Sequence, residues 1–196
     1  MAHLSPENRR RGQELVALYP ERRSALIPLC HLAQAQDGWL TPEAMEDIAE
    51  LTGVTPAEVR GTASFYDMLH TEPVGRYVVA VCTNIACMLG GAYETLEHAE
   101  ERLGVHVGQT TDDGMFTLEE AECLAGCDKA PCVQVNHRFF GPVHAGELDD
   151  LVDDLASGAL SDDVPSHSVL CRVPRSVGLQ AAGAPGASPT TGEEAP

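Results

Sequence analysis

Five of the chain's seven cysteines fall into two groups. VVAVCTNIACML carries Cys82 and Cys87 with four residues between them, and ECLAGCDKAPC carries Cys123, Cys127 and Cys132, spaced by three and then four. Clustered thiolates are ligands for zinc and for iron–sulfur centres. Zinc tolerates pairs with two to four intervening residues, so either pair alone says little. An x4 loop also occurs in plant-type [2Fe–2S] ligand runs, although those continue with x2 and place the fourth cysteine far away. Spacing leaves three readings open: an iron–sulfur centre, a zinc site, or structural thiols. No C-x-x-C occurs anywhere. That removes the usual dithiol redox pattern and makes a thiol peroxidase or disulfide reductase the weakest option.

The elements around these thiols are readable. RYVVAVC is a β-branched run of strand length that ends at Cys82, and MFTLEEAEC alternates at period two towards Cys123. Cys87 falls at the start of a following helix, whose stripe Ala92, Leu96, Ala99 and Leu103 stops at Gly104; Cys127 follows Gly126 in a loop. Backbone N–H groups at a helix N-terminus and in glycine turns can donate to thiolate sulfurs, which suits a metal–sulfur centre at one sheet edge. CVQV and HRFFGPV read as two more strands with a turn near Asn136, and Leu148, Leu151, Val152 and Leu155 form a last amphipathic helix closed by Gly158. Strand, helix, strands, helix describes a small α/β domain over residues 76–160.

Residues 1–75 read as helical. PENRRRGQELVALYP is one helix; Ala25, Leu26, Leu29, Leu32 and Ala33 mark a second that ends at Asp37-Gly38, with Pro28 at a kink or in the first turn. Thr41-Pro42 and Thr55-Pro56-Ala57-Glu58 are start signals, the second a capping box, and Gly53 fits a C-cap. Residues 161–196 lose all periodicity and read as a low-complexity, disordered tail.

Composition narrows the function classes. At 43% hydrophobic the chain can bury a core. Twelve basic against thirty acidic residues give −18, which repels nucleic acid and anionic lipid. No apolar run approaches the roughly 18–20 residues of a membrane span. MAHLSPENRRRG lacks an apolar signal core, so a cytoplasmic chain is expected. There is no G-x-G-x-x-G after a strand and no P-loop, so dinucleotide and flavin have no obvious home here.

Other residues take bland readings. Cys30 is a buried small hydrophobe, Cys171 an unremarkable thiol, and His31 a surface or partly packed residue. Trp39 plugs a helix junction, and Phe65-Tyr66 anchors the helices to each other or to a partner. GELDDLVDD and EHAEER are solvated helix faces.

C-x4-C at Cys82 and Cys87, then 35 residues, then C-x3-C at Cys123 and Cys127 resembles the thioredoxin-like [2Fe–2S] ferredoxins. SALIPLCHLAQAQDGWLTPEAM, GTASFYDML, VCTNIACML and ECLAGCDKAPCVQVN resemble the branch of that family found in respiratory NADH dehydrogenases, and the likeness spans roughly residues 15–155. It implies a four-helix N-terminal region followed by a thioredoxin-like α/β domain with one [2Fe–2S] cluster. The implied ligands are Cys82, Cys87, Cys123 and Cys127, leaving Cys132 out. It also implies an adjoining NADH-binding flavoprotein whose FMN exchanges single electrons with this chain, in an assembly peripheral to the cytoplasmic face of the membrane. An NAD-linked hydrogenase or formate dehydrogenase would use an equivalent subunit; a zinc-stabilised scaffold without redox activity is the alternative of another class. The residues agree on Cys132: it follows Pro131 and opens CVQV, so its side chain is expected in the sheet's packing.

Overall fold

The computed structural model describes residues 3–164. Cys171 and most of the expected tail, residues 165–196, lie outside the described residues. The first half is helical: α1 (Pro6–Ala17), a 3-10 turn (Arg22–Ala25), α2 (Leu26–Asp37), α3 (Pro42–Thr52) and α4 (Pro56–Ala63). Their ends follow the sequence signals. Thr41 Oγ1 accepts from Ala44 N at 3.1 Å. Thr55 and Glu58 complete the capping box, Thr55 N donating to Glu58 Oε2 at 2.9 Å. Gly38 and Gly53 close α2 and α3 in the left-handed region, which glycine enters without steric cost. Pro28 sits in the first turn of α2, where no intrahelical N–H is missing. Leu26, Leu29, Ala33, Leu40, Ile48 and Val59 build the first core. Leu40, fully buried, plugs the α2–α3 junction; Trp39 is only half-buried beside it.

The second half is a four-stranded sheet in the order β2–β1–β3–β4, from β1 (Tyr77–Cys82), β2 (Phe116–Ala121), β3 (Val133–Val135) and β4 (Arg138–Phe140). β2 runs parallel to β1, while β3 and β4 are antiparallel to their neighbours. Between β1 and β2 lie α5 (Ile85–Leu89) and α6 (Ala92–Leu103); α7 (Ala145–Ser157) follows β4. Tyr77, Val79 and Val81 point to one side, against Leu96 and Ala99 of α6 and Leu148, Leu151, Val152 and Leu155 of α7, forming a second core. This is the thioredoxin-like arrangement of helices and a mixed sheet expected from the resemblance.

Asn136 and His137, at φ 43° and 65°, turn β3 into β4 in the doubly left-handed manner of a two-residue hairpin. Asn136 then staples the hairpin to β1: its Oδ1 accepts from Val78 N at 2.8 Å and its Nδ2 donates to Arg76 O at 2.9 Å. The two cores are linked by the stretch after α4. Gln34, 1% exposed, donates to Met68 O and accepts from His70 N, each at 2.8 Å, and Leu40 N donates to His70 O. Past α7, Val164 still packs into the second core at 1% exposure. Among the described residues no helix is long and apolar enough to cross a membrane.

Candidate metal–sulfur centre

β1 is the axis of the site. Its last residue, Cys82, donates its N–H to Cys132 O at 3.0 Å, and the next residue, Thr83, donates to Ala121 O at 3.0 Å. The strand is thus tied on one edge to the end of β2, which launches the Cys123–Cys127 loop, and on the other to the residue before β3. The ladder stops there, since Cys82 pairs with Ala121 and Glu122 finds no strand partner. The period-two pattern that runs to Cys123 therefore outlasts the strand, and Cys123 stands in the loop two residues beyond it.

Cys87 is carried by α5, a separate helix of five residues, not by the start of the long α6. Gly90 and Gly91 break the two apart, Gly91 at φ 96°. Cys87 faces inward at 2% exposure, and Cys82 lies at 3%. With Ala92, Cys132, Leu124 and Ala130 they form a small apolar cluster of their own. Cys123 and Cys127 are exposed, in a loop that holds Ala125 at φ 56°, a left-handed position that costs a side-chain-bearing residue about 1 kcal/mol.

The loop is seated on the fifth thiol. A β-carbon on Gly126 would stand 2.7 Å from Cys132 Sγ and 3.6 Å from Phe139 Cδ1, so Cys132 fills the space a side chain would need. Cys132 is fully buried, as its place before the alternating VQV run suggests. Burial and the neighbouring Cys87 and Cys82 sulfurs push its thiol up to about 11, with Lys129 opposing.

The remaining four thiols are linked in pairs. Burial pushes Cys82 up, but N–H donors from Leu124 and Asn84, with the Cys87 and Cys123 thiols, outweigh it and hold Cys82 below the ordinary thiol value. Cys87 goes the other way: burial and the charges of Cys82 and Cys127 raise it, against a single N–H donor, Cys132 N. Each of the four thus lies within electrostatic reach of at least one other. Among the described residues no three His, Cys, Asp or Glu side chains meet around one point suited to a lone metal ion. A [2Fe–2S] cluster asks for only two protein ligands per iron. Two buried thiols with backbone donors beside two exposed thiols fit such a group.

Beside this site a cleft of about 760 Å³ opens on the sheet face opposite α6 and α7. Val78 and Ala80 form its floor, Asp67 and His70 one wall, and Glu119, Glu122 and Cys123 the other. Burial, reinforced by Asp67, raises the Glu119 carboxyl. Burial also pushes His137, on the cleft's edge, down to about 4, with His70, His31 and Arg138 adding to the effect, and its buried Nε2 has no partner. Nothing local marks this cleft in the sequence, because its walls come from stretches some fifty residues apart. Cys30 and His31 lie on α2, away from the cysteine loops: Cys30 is fully buried, its thiol pushed up to about 12, and His31 is half-buried.

The profile of the family described as thioredoxin-like [2Fe-2S] ferredoxin matches residues 12–156. The E subunit of NADH-quinone oxidoreductase from Mycobacterium tuberculosis H37Rv is 44% identical over 146 residues, 74% of this chain and 58% of that one. NADH-quinone oxidoreductase subunit 2 of Thermus thermophilus is 39% identical over 155 residues, 78% of this chain and 86% of that one. The chain thus spans a little over half the length of its mycobacterial relatives. Among solved structures, an NAD+-reducing [NiFe]-hydrogenase superposes with a TM-score of 0.64 at 23% identity, over 72% of this chain and 24% of that one; at that identity the likeness is one of fold.

Proposed function

Because the chain belongs to the thioredoxin-like [2Fe–2S] ferredoxin family, we propose that it is an electron-transfer subunit of an NADH–quinone oxidoreductase, respiratory complex I, equivalent to the mycobacterial E subunit. In this reading Cys82, Cys87, Cys123 and Cys127 hold one [2Fe–2S] cluster, which supplies one-electron chemistry. The observation that carries the assignment is the pairing of two buried, N–H-supplied thiols with two exposed thiols on an adjoining loop. The names carried by relatives at 39–44% identity support the quinone enzyme over a hydrogenase module, which shares only the fold.

The chain's own residues have definite parts. The N–H groups of Leu124, Asn84 and Cys132 stabilise negative charge on the Cys82 and Cys87 sulfurs. The apolar cluster around them excludes water from that side, while the Cys123–Cys127 loop leaves the other side open to a partner. NADH and FMN belong to that partner, the NADH-binding flavoprotein, and the remaining subunits of complex I hold the pair peripherally on the cytoplasmic face of the membrane. Residues 1–75 form the N-terminal helical region and 76–160 the cluster-bearing domain.

Purified protein is expected to contain about two irons and two acid-labile sulfides per chain, with a one-electron EPR signal after reduction. Stoichiometric zinc without labile sulfide would overturn the proposal. The isolated chain should not oxidise NADH.

A further inference from the structure

Residues 129–132, Lys-Ala-Pro-Cys, lead from the 3-10 turn at Cys127–Lys129 into β3, and none of them is among the proposed ligands. Glycine backbones from three other stretches press against them. A β-carbon on Gly90, at the end of α5, would stand 3.3 Å from Pro131 Cδ. One on Gly126, in the cysteine loop, would stand 2.7 Å from Cys132 Sγ. One on Gly141, just past β4, would stand 2.8 Å from Lys129 Cβ and collide with Lys129 O. None of the three has a positive φ, so glycine serves here for close approach and not for backbone conformation. By contrast, Gly61 on α4 and Gly146 on α7 face open space.

The same segment is fastened by its main chain. Pro131 O accepts from Val143 N at 2.9 Å, and Cys132 O accepts from Cys82 N at 3.0 Å. Cys132 N donates to the Cys87 sulfur. Cys132 thus reaches three of the four proposed ligands through three different atoms: Cys82 through O, Cys87 through N, and the residue before Cys127 through Sγ. It is fully buried, so its side chain has no solvent to move into, and a close-packed interior passes a displacement on to its neighbours. The loop on the other side is itself held in place, since Ala125 stands at φ 56°, a conformation that surrounding structure must impose.

We propose that residues 129–132 are the template of the metal–sulfur centre, with Cys132 a positioning residue: the segment fixes where the Cys87 and Cys127 sulfurs stand and so tunes the group they hold. The inference rests on the electron-transfer reading. Hydrogen bonds to sulfur help set the potential of an iron–sulfur cluster, because an N–H dipole favours the more negative, reduced state. Moving Cys132 turns its N–H away from Cys87 and shifts the Cys127 loop in the same motion. One displacement therefore changes the electronic surroundings of both cysteine groups without removing a ligand.

The test uses the full chain with its iron, and reads the EPR g-values of the reduced protein and its midpoint potential. Gly126→Ala drives a methyl group against Cys132 Sγ. It is expected to keep most of its iron, to change the g-values and to move the potential to a more negative value. Adding Cys132→Ala makes room for the methyl, and the double variant should return both readings to those of the parent. Gly90→Ala, which asks Pro131 to give only slightly, should change the g-values less. Gly146→Ala, in open space, should change nothing. A segment that serves stability alone would lower the melting temperature of Gly126→Ala and leave g-values and potential at the parent's, which would overturn the proposal. A double variant that keeps the shifted potential would overturn it as well. Where Gly126→Ala alone does not fold, Gly90→Ala decides, and unmoved g-values there count against the template. A parent without labile sulfide refutes the electron-transfer reading itself; a parent whose cluster ignores these variants refutes only the template.

Discussion

Cys132 and Gly126 meet so closely that each dictates the other. Gly126→Ala puts a methyl carbon 2.7 Å from Cys132 Sγ, and because Gly126 has ordinary negative φ, the clash and not the backbone is the obstacle. Overpacking of this kind costs about 1–3 kcal/mol. Cys132→Ala removes the obstructing sulfur, so the double variant is expected to be more stable than Gly126→Ala alone, a coupling that denaturant midpoints would reveal. Cys132→Ala by itself should cost about 1 kcal/mol, the loss of a small buried hydrophobe, and retain iron. Cys127→Ser removes a proposed ligand from the exposed loop and should lose most of the iron or leave it labile. If Cys132→Ser bleaches the protein while Cys127→Ser keeps an unchanged EPR spectrum, the ligand assignment is wrong. The contrast between Cys127 and Cys132 was legible in the sequence, because a residue following glycine in a turn and a residue opening an alternating run have different surroundings. The donors to sulfur were legible only in part: Leu124 and Cys132 offer theirs from irregular backbone, placed by tertiary contacts.

At the scale of elements, the helix ends were the most readable features, since capping by Thr41, Thr55–Glu58, Gly38 and Gly53 is settled within four residues of sequence. Two boundaries differ from the pattern, the first for a non-local reason and the second for a local one. β2 ends at Ala121 because β1 turns away after Cys82, and α5 is cut from α6 by the Gly90–Gly91 pair. Gln34 was invisible as anything but a helix residue, yet it holds the stretch after α4 through two hydrogen bonds. Gln34→Ala leaves Met68 O and His70 N to find other partners. It should cost about 2 kcal/mol, within the range for unsatisfied buried groups. Native-state hydrogen exchange should show the loss around residues 66–71, and protection of the β1 amides should be unchanged. Uniform loss across both halves would contradict the picture of a local strap.

For the whole molecule, the histidines between the two cores set the response to acid. His31, His70 and His137 all have depressed values, chiefly from burial, so the unfolded chain binds protons that the folded chain refuses. Their contribution is complete above about 6.5 and is lost as the pH falls towards 4, the value to which His137 is pushed. Glu119, whose carboxyl is raised, has the opposite sign and offsets part of the loss. The melting temperature should therefore fall between pH 7 and 5. His137→Asn, which tolerates the left-handed turn and does not titrate, should flatten that slope; an unchanged slope would exclude His137 as a contributor.

β1 binds strands on both edges, and its final N–H groups reach across to the roots of both other cysteine segments. The thiols at 87 and 123 are separated by 35 residues of chain, a loop whose closure is entropically unfavourable until those ladders have formed. Maturation is therefore ordered in time. The sheet must zip before the four proposed ligand sulfurs can gather, and iron delivered to a nascent chain whose β2 has not yet emerged would find only the first pair.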